Sequence, residues 1–209
     1  MLTEILENIF WLGHDGFMIK ADGKIVTIDP YQVETVEPAD ILLVTHAHYD
    51  HCSPKDIEKL QKDSTVIVTE PESAGQLSGD IRVMKPGEAL AVAGTKIEAV
   101  AAYNTNKTFH PKEKNWLGFV VTLGGSRIYH AGDTDLIDEM EGLNVDIALL
   151  PVSGTYVMTA QEAVEAAKRI KPKIAIPMHY DSLVGSEADA HAFAKGLEGI
   201  CEVRLINRC

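Results

Sequence analysis

Apolar and polar positions along the chain alternate in short runs more often than they repeat with a helical period. In the first third, NIFWLG (8–13) and FMIKA (17–21) are apolar-rich runs separated by the polar HDG, and ADG (21–23) is a hairpin signal ahead of KIVTIDP (24–30). ILLV (41–44) is a continuous apolar run that predicts a buried strand. The period then changes in SPKDIEKLQK (53–62), where Ile57 and Leu60 lie three apart, Ser53 can cap a helix and Pro54 suits its first turn. STVIVTE (64–70) reads as a strand, EPESAGQL as a short helix and IRVMK (81–85) as another strand.

The second half repeats this grammar. PGEALAVAGTKIEAVAAY predicts two strands turning at AGT, and LGFVVTLGG with SRIYHAGD predicts a hairpin turning at Gly124-Gly125. VDIALLP (145–151) is a buried strand, and TAQEAVEAAKRIKP a helix with Thr159 and Glu162 as a capping box and Val164, Ala167 and Ile170 as its buried stripe. KIAIPMHY (173–180) is again a strand, and SEADAHAFAKGLEG a closing helix. Strand-rich halves that each end in helices predict two packed sheets with helices outside, a layered α/β or α+β domain. With no linker, low-complexity tract or clear repeat, residues 1–209 are expected to form one domain.

Composition narrows the function classes. The hydrophobic share of 45% and charged share of 24% are those of an ordinary globular protein. A formal charge of −12 opposes nucleic acid and anionic lipid as main partners, and no basic run exceeds KPK (171–173). No apolar run approaches the ~20 residues of a membrane span, and the N-terminus carries no export signal. Three scattered cysteines, Cys52, Cys201 and Cys209, argue against a disulfide framework. These features predict a cytoplasmic enzyme, and they leave its oligomeric state open.

The candidate chemistry lies in ILLVTHAHYDHCSP (41–54). Three of the chain's eight histidines, with an aspartate, fall within six residues at the end of the 41–44 strand. His46 and His48 are two apart and face one side of an extended backbone. Asp50 and His51 follow where the chain leaves that geometry, so they can approach a second position. Imidazoles with a carboxylate suit zinc best, then manganese, iron or nickel. Cys52 is read as a small buried hydrophobe rather than a ligand.

THAHYDH resembles the His-x-His-x-Asp-His signature of the metallo-β-lactamase superfamily. Further positions match its pattern in order: Asp29 in TIDP, His110 in NKTFHPK, Asp133 in YHAGDTD and His179 in IPMHY. The resemblance implies a four-layer αββα sandwich with the metal site at one edge, between the sheets. It implies one divalent ion held by His46, His48 and His110, a second held by Asp50, His51 and His179, and Asp133 bridging them. Asp29 would support the ligand loop without touching metal. Zinc is the leading choice, with manganese or nickel as alternatives, and a metal-bound hydroxide would attack a small ester, lactone or phosphodiester. Asp50-His51, in place of the glutamate pattern of flavodiiron relatives, favours hydrolysis over iron redox chemistry.

WLGHDGF (11–17), PVSGTYVMTAQEA (151–163) and PKIAIPMHY resemble a branch that contains the ascorbate-6-phosphate lactonase-like and N-acylphosphatidylethanolamine phospholipase D-like proteins. On that likeness His14 is expected to line the substrate side of the cleft, without binding metal, and to join Asp50 and Asp133 in catalysis. Lys107 or His14 facing the metals would favour a phosphodiesterase. Tyr180 is a candidate oxyanion donor or a packing group, His130 a core or supporting residue, and His191 a solvated one. The contrasting possibility is a metal-binding sensor or scaffold without turnover.

Overall fold

Strand side chains point alternately to opposite faces of a sheet, and the apolar strands of this chain use both faces. The computed structural model describes residues 2–34 and 37–209. One sheet runs, in spatial order, β1 (Ile9–Gly13), β2 (Gly16–Ala21), β3 (Lys24–Ile28), β4 (Ile41–Leu43), β5 (Val66–Thr69) and β6 (Asp80–Val83). Its first three strands pair antiparallel and β3 to β6 pair parallel. The second sheet comprises β7 (Ala89–Val92), β8 (Thr95–Ala101), β9 (Leu117–Leu123), β10 (Ser126–His130), β11 (Ile147–Pro151), β12 (Ile174–Met178) and β13 (Glu202–Val203). There β7 to β10 are antiparallel and β10 to β13 parallel.

Parallel neighbours need crossover connections, and α-helices supply those between β4 and β6 and between β11 and β13. Helix α1 (Leu2–Leu6), which the pattern did not predict, precedes the first strand. Helices α2 (Pro54–Leu60) and α3 (Pro71–Ala74) link β4, β5 and β6, while α4 (Ala160–Ile170) and α5 (Glu187–Gly196) link β11, β12 and β13. Ser53 caps α2 as expected, and both halves of the Thr159–Glu162 capping box are formed.

Alternation sorts the core into layers. Phe17, Ile19, Ile28, Ile41 and Leu43 from the first sheet share one large buried cluster with Phe119, Val121, Ile128 and Leu149 from the second. Met18, Leu42 and Ile67, on the other face of the first sheet, join Ile57 and Leu60 of α2 in a smaller cluster. Ala163, Val164, Ala167 and Ile170 of α4 are buried in the large cluster as well. The result is the expected mixed α/β sandwich, helix–sheet–sheet–helix. Among the described residues no helix is long and apolar enough to cross a membrane.

This topology places the site. The chain leaves β3, β4, β10, β11 and β12 at their C-terminal ends through Asp29, Thr45–His46, Asp133, Ser153 and His179 respectively. In open parallel sheets that edge is where ligands are bound.

Candidate metal centre

The loop after β4 is folded back by two hydrogen bonds to the His48 carbonyl, from His51 N at 3.0 Å and from Cys52 N at 2.7 Å. The expected role of Asp29 has a concrete form. Its Oδ1 accepts from Thr45 N at 2.8 Å, and its Oδ2 accepts from Thr45 Oγ1 at 2.5 Å and from His51 Nδ1 at 2.8 Å. Three residues of the site take left-handed backbone: His14 (φ 52°), Asp29 (φ 43°) and His179 (φ 58°). Such conformations cost on the order of 1–3 kcal/mol each outside glycine and cluster at functional sites. Gly132, before Asp133, has φ +63°, and a Cβ there would lie 2.7 Å from the Leu117 carbonyl oxygen. Only glycine fits that approach.

The hydrogen-bond network fixes the imidazoles in one sense. His51 Nδ1 donates to the Asp29 carboxylate. Thr45 Oγ1 donates to Asp29, so it accepts from His46 Nδ1 at 3.0 Å. Asn104 Oδ1 accepts from His110 Nδ1 at 3.2 Å. Ser153 Oγ donates to the Thr155 carbonyl and accepts from His179 Nδ1 at 2.9 Å. Each outer partner accepts from Nδ1, which turns Nε2 of His46, His51, His110 and His179 inward, a lone pair in the neutral imidazole that a cation requires. Holding the outer nitrogen in this way is how proteins orient histidines toward a metal.

Those lone pairs converge. Asp133 Oδ2 lies 3.1 Å from His110 Nε2 and 3.3 Å from His179 Nε2, and its Oδ1 lies 3.4 Å from His51 Nε2. His46 Nε2 is 3.0 Å from His48 Nδ1. Ligand atoms of His46, His48 and His110 lie within 4.8 Å of one another, and so do those of Asp15, His51, Asp133 and His179. His51 Nε2, His110 Nε2 and Asp133 Oδ1 are buried with no hydrogen-bond partner among the described residues. Buried polar atoms left unpartnered are costly, and several around one space fit a cation. Trp116 walls the first group, its ring 4.7 Å from His46 and 4.8 Å from His48.

The electrostatics are uneven. Burial holds His46 well below the ordinary imidazole value and lowers His48 as well. Burial also pulls His51 down, but the Asp133 and Asp29 carboxylates override it and raise His51 well above the usual range. Burial opposes ionisation of Asp133, yet His179, His51 and His110 hold it well below the carboxylate norm. Asp50 is likewise opposed by burial but is brought down to about 2 by its hydrogen bond from His14 and the charge of His51.

Sequence comparison decides the lineage. The profile of the beta-lactamase superfamily domain matches residues 8–179. A UPF0173 metal-dependent hydrolase of Thermoplasma acidophilum is 36% identical, over 93% of this chain and 92% of its own. The chain belongs to the metallo-β-lactamase superfamily. A second relative, a UPF0173 metal-dependent hydrolase of Nanoarchaeum equitans, is 34% identical over 92% of this chain and 95% of that one. Among solved structures, one described as a metal-dependent hydrolase from Parabacteroides distasonis superposes with a TM-score of 0.86 at 35% identity, covering 95% of this chain and 91% of that one. One from Thermotoga maritima, described as a zinc-dependent hydrolase of this superfamily, gives 0.67 at 25% identity over 95% and 97%.

Against the superfamily pattern, His46, His48 and His110 come together, as do His51, His179 and Asp133. Asp50 stands at the rim: its Oδ2 is 3.9 Å from His51 Nε2 and accepts from His14 Nε2 at 3.1 Å. His14 lies against the second group. It is 1% exposed, lies with its ring 4.2 Å from that of His179, and offers a nitrogen within 4.8 Å of His51 and His179 nitrogens. The turn that carries it is drawn inward because its carbonyl accepts from both Trp11 Nε1 and His179 N.

Lys107 faces Asp135, with Nζ 2.6 Å from Oδ1. Tyr180 is buried, with its ring stacked on Trp11 at 4.8 Å. His130 is buried and bonds the Asp15 carbonyl oxygen, whereas His191 is exposed. Asp15, Asn104, Ser153 and Trp116 belong to the site and were not anticipated.

Proposed function

We propose that this chain is a metal-dependent hydrolase that uses two divalent ions, zinc first and manganese or nickel as alternatives, to cleave a small carboxylic ester or lactone. The observation that carries the reading is the set of four imidazoles whose Nδ1 protons are anchored outward while their Nε2 lone pairs surround Asp133 and its neighbours. His46, His48 and His110 would hold one ion, His51, His179 and Asp50 the other, and Asp133 both. Ions so held would supply Lewis acidity toward a substrate oxygen and lower the pKa of coordinated water.

The chain's own groups would do the rest. Asp50 is the part-exposed member of the His14–Asp50 pair, its side chain 17% accessible against 2% for His14. Asp50, held as a carboxylate, would accept a hydrogen bond from the attacking water and orient it. Tyr49, Phe109 and Tyr156 are exposed, and they sit beside the ligand loop, beside His110 and against Phe109 respectively. They would receive the apolar part of a substrate. Lys107 is paired with Asp135, which supports a neutral ester or lactone, whereas His14, turned toward His51 and His179, is the feature that keeps a phosphodiester as the second reading.

A panel of lactones, aryl esters and phosphodiesters, run on chelator-treated and metal-reloaded protein, tests the reading. Metal-dependent turnover of a lactone or ester is expected. Turnover confined to phosphodiesters would replace the substrate class, and bound metal without turnover on any class would favour a sensor or scaffold.

A further inference from the structure

Asp15 occupies the two-residue turn between β1 and β2, closed by the pairing of Gly13 with Gly16. Aspartates in such turns ordinarily face water, but this one is 0% exposed. Its carbonyl oxygen accepts from His130 Nε2 at 2.8 Å, which pins the turn against the second sheet. Both of its carboxylate oxygens are buried without a hydrogen-bond partner among the described residues, as are Asp133 Oδ1 and His51 Nε2. One ligand atom each from Asp15, His51, Asp133 and His179 falls within 4.8 Å of the other three. Two buried carboxylates this close repel unless a proton or a cation stands between them.

We propose that Asp15 is a further ligand of the second ion and makes that position selective for a harder cation, manganese(II), beside an imidazole-rich position that suits zinc. The inference rests on the two-ion reading above. The first position offers His46, His48 and His110 with a share in Asp133. The second offers His51 and His179, with a His14 nitrogen within 4.8 Å of theirs, together with the carboxylates of Asp133, Asp15 and, at the rim, Asp50, and so carries more oxygen donors than the first. Oxygen donors suit manganese and imidazole suits zinc, so the two halves of the centre differ in hardness. A residue in a solvent-type turn thereby sets which metal the enzyme holds.

The test compares wild type with Asp15→Asn. Manganese(II) binding to chelator-treated protein is followed by loss of the free-ion electron paramagnetic resonance signal, zinc(II) binding by calorimetry, and stability by thermal melting with and without manganese. The expected result is a fall in manganese affinity on the order of 10–100-fold or more in the variant, with a smaller fall for zinc. The apo melting temperature should not drop, because the amide removes a buried charge and can donate to Asp133. Unchanged manganese affinity would overturn the proposal, as would equal losses for both metals with a lower apo melting temperature. If the wild type binds neither metal, the two-ion reading itself fails; if it binds both and the variant matches it, this inference alone fails.

Discussion

His51 donates its Nδ1 proton to Asp29 Oδ2 across 2.8 Å, and neither side chain is exposed to solvent. Asp29 thereby acts on the centre at one remove, holding both Thr45 and His51. Asp29→Ala is expected to lower metal affinity and turnover on the order of 10–100-fold, as losses of such supporting partners typically do. Competition with a chelating dye measures the affinity. Unchanged affinity would show that the loop holds itself.

Among the described residues, Asp133 is the one carboxylate in contact with His51, His110 and His179 together. Asp133→Asn should reduce turnover by more than about 100-fold, beyond what an outer partner costs. The apo melting temperature should move far less, since the substitution is isosteric. Intact turnover on any substrate accepted by the wild type would remove Asp133 from the mechanism.

Gly132 governs the placement of Asp133 through backbone alone. Gly132→Ala brings a Cβ to 2.7 Å from the Leu117 carbonyl oxygen at φ +63°. A loss of about 1–3 kcal/mol is expected from the strained backbone, with further cost if the Leu117 strand must shift. Denaturant unfolding reads the first effect and metal affinity the displacement of Asp133. A variant as stable as wild type would mean the turn can relax.

Cys52 adjoins His51 in sequence yet is 1% exposed, and burial pushes its thiol up to about 11. A thiol whose pKa is raised stays protonated and unreactive below that pH. Alkylation of native protein at pH 8 should therefore label the exposed Cys209 and spare Cys52 until the chain is unfolded. Mass-spectrometric peptide mapping checks this, and rapid native labelling of Cys52 would contradict it.

Much of this architecture was legible in the sequence because burial has a period. The 41–44 run predicted a strand of the first sheet, the Ile57–Leu60 spacing predicted the helix over its outer face, and Thr159 with Glu162 predicted a helix start. The six-residue ligand run was legible because a short stretch of chain carries it. The anchors were not: Ser153 meets His179 from 26 positions away, and Asn104 meets His110 through a loop with no period. The role of Asp15 and the depth at which His14 is buried were not legible for a related reason. A polar turn reads as solvated, and only the second sheet, through His179 and His130, closes over it.

The central claim is that two groups of side chains each hold an ion. Anomalous X-ray diffraction at the zinc and manganese edges, on crystals grown with both metals, tests it most directly. The account predicts two peaks roughly 3.5–4 Å apart, one among His46, His48 and His110 and the other among His51, His179 and Asp133. No peak, or a single peak with His51 and His179 bonded only to protein, would contradict it.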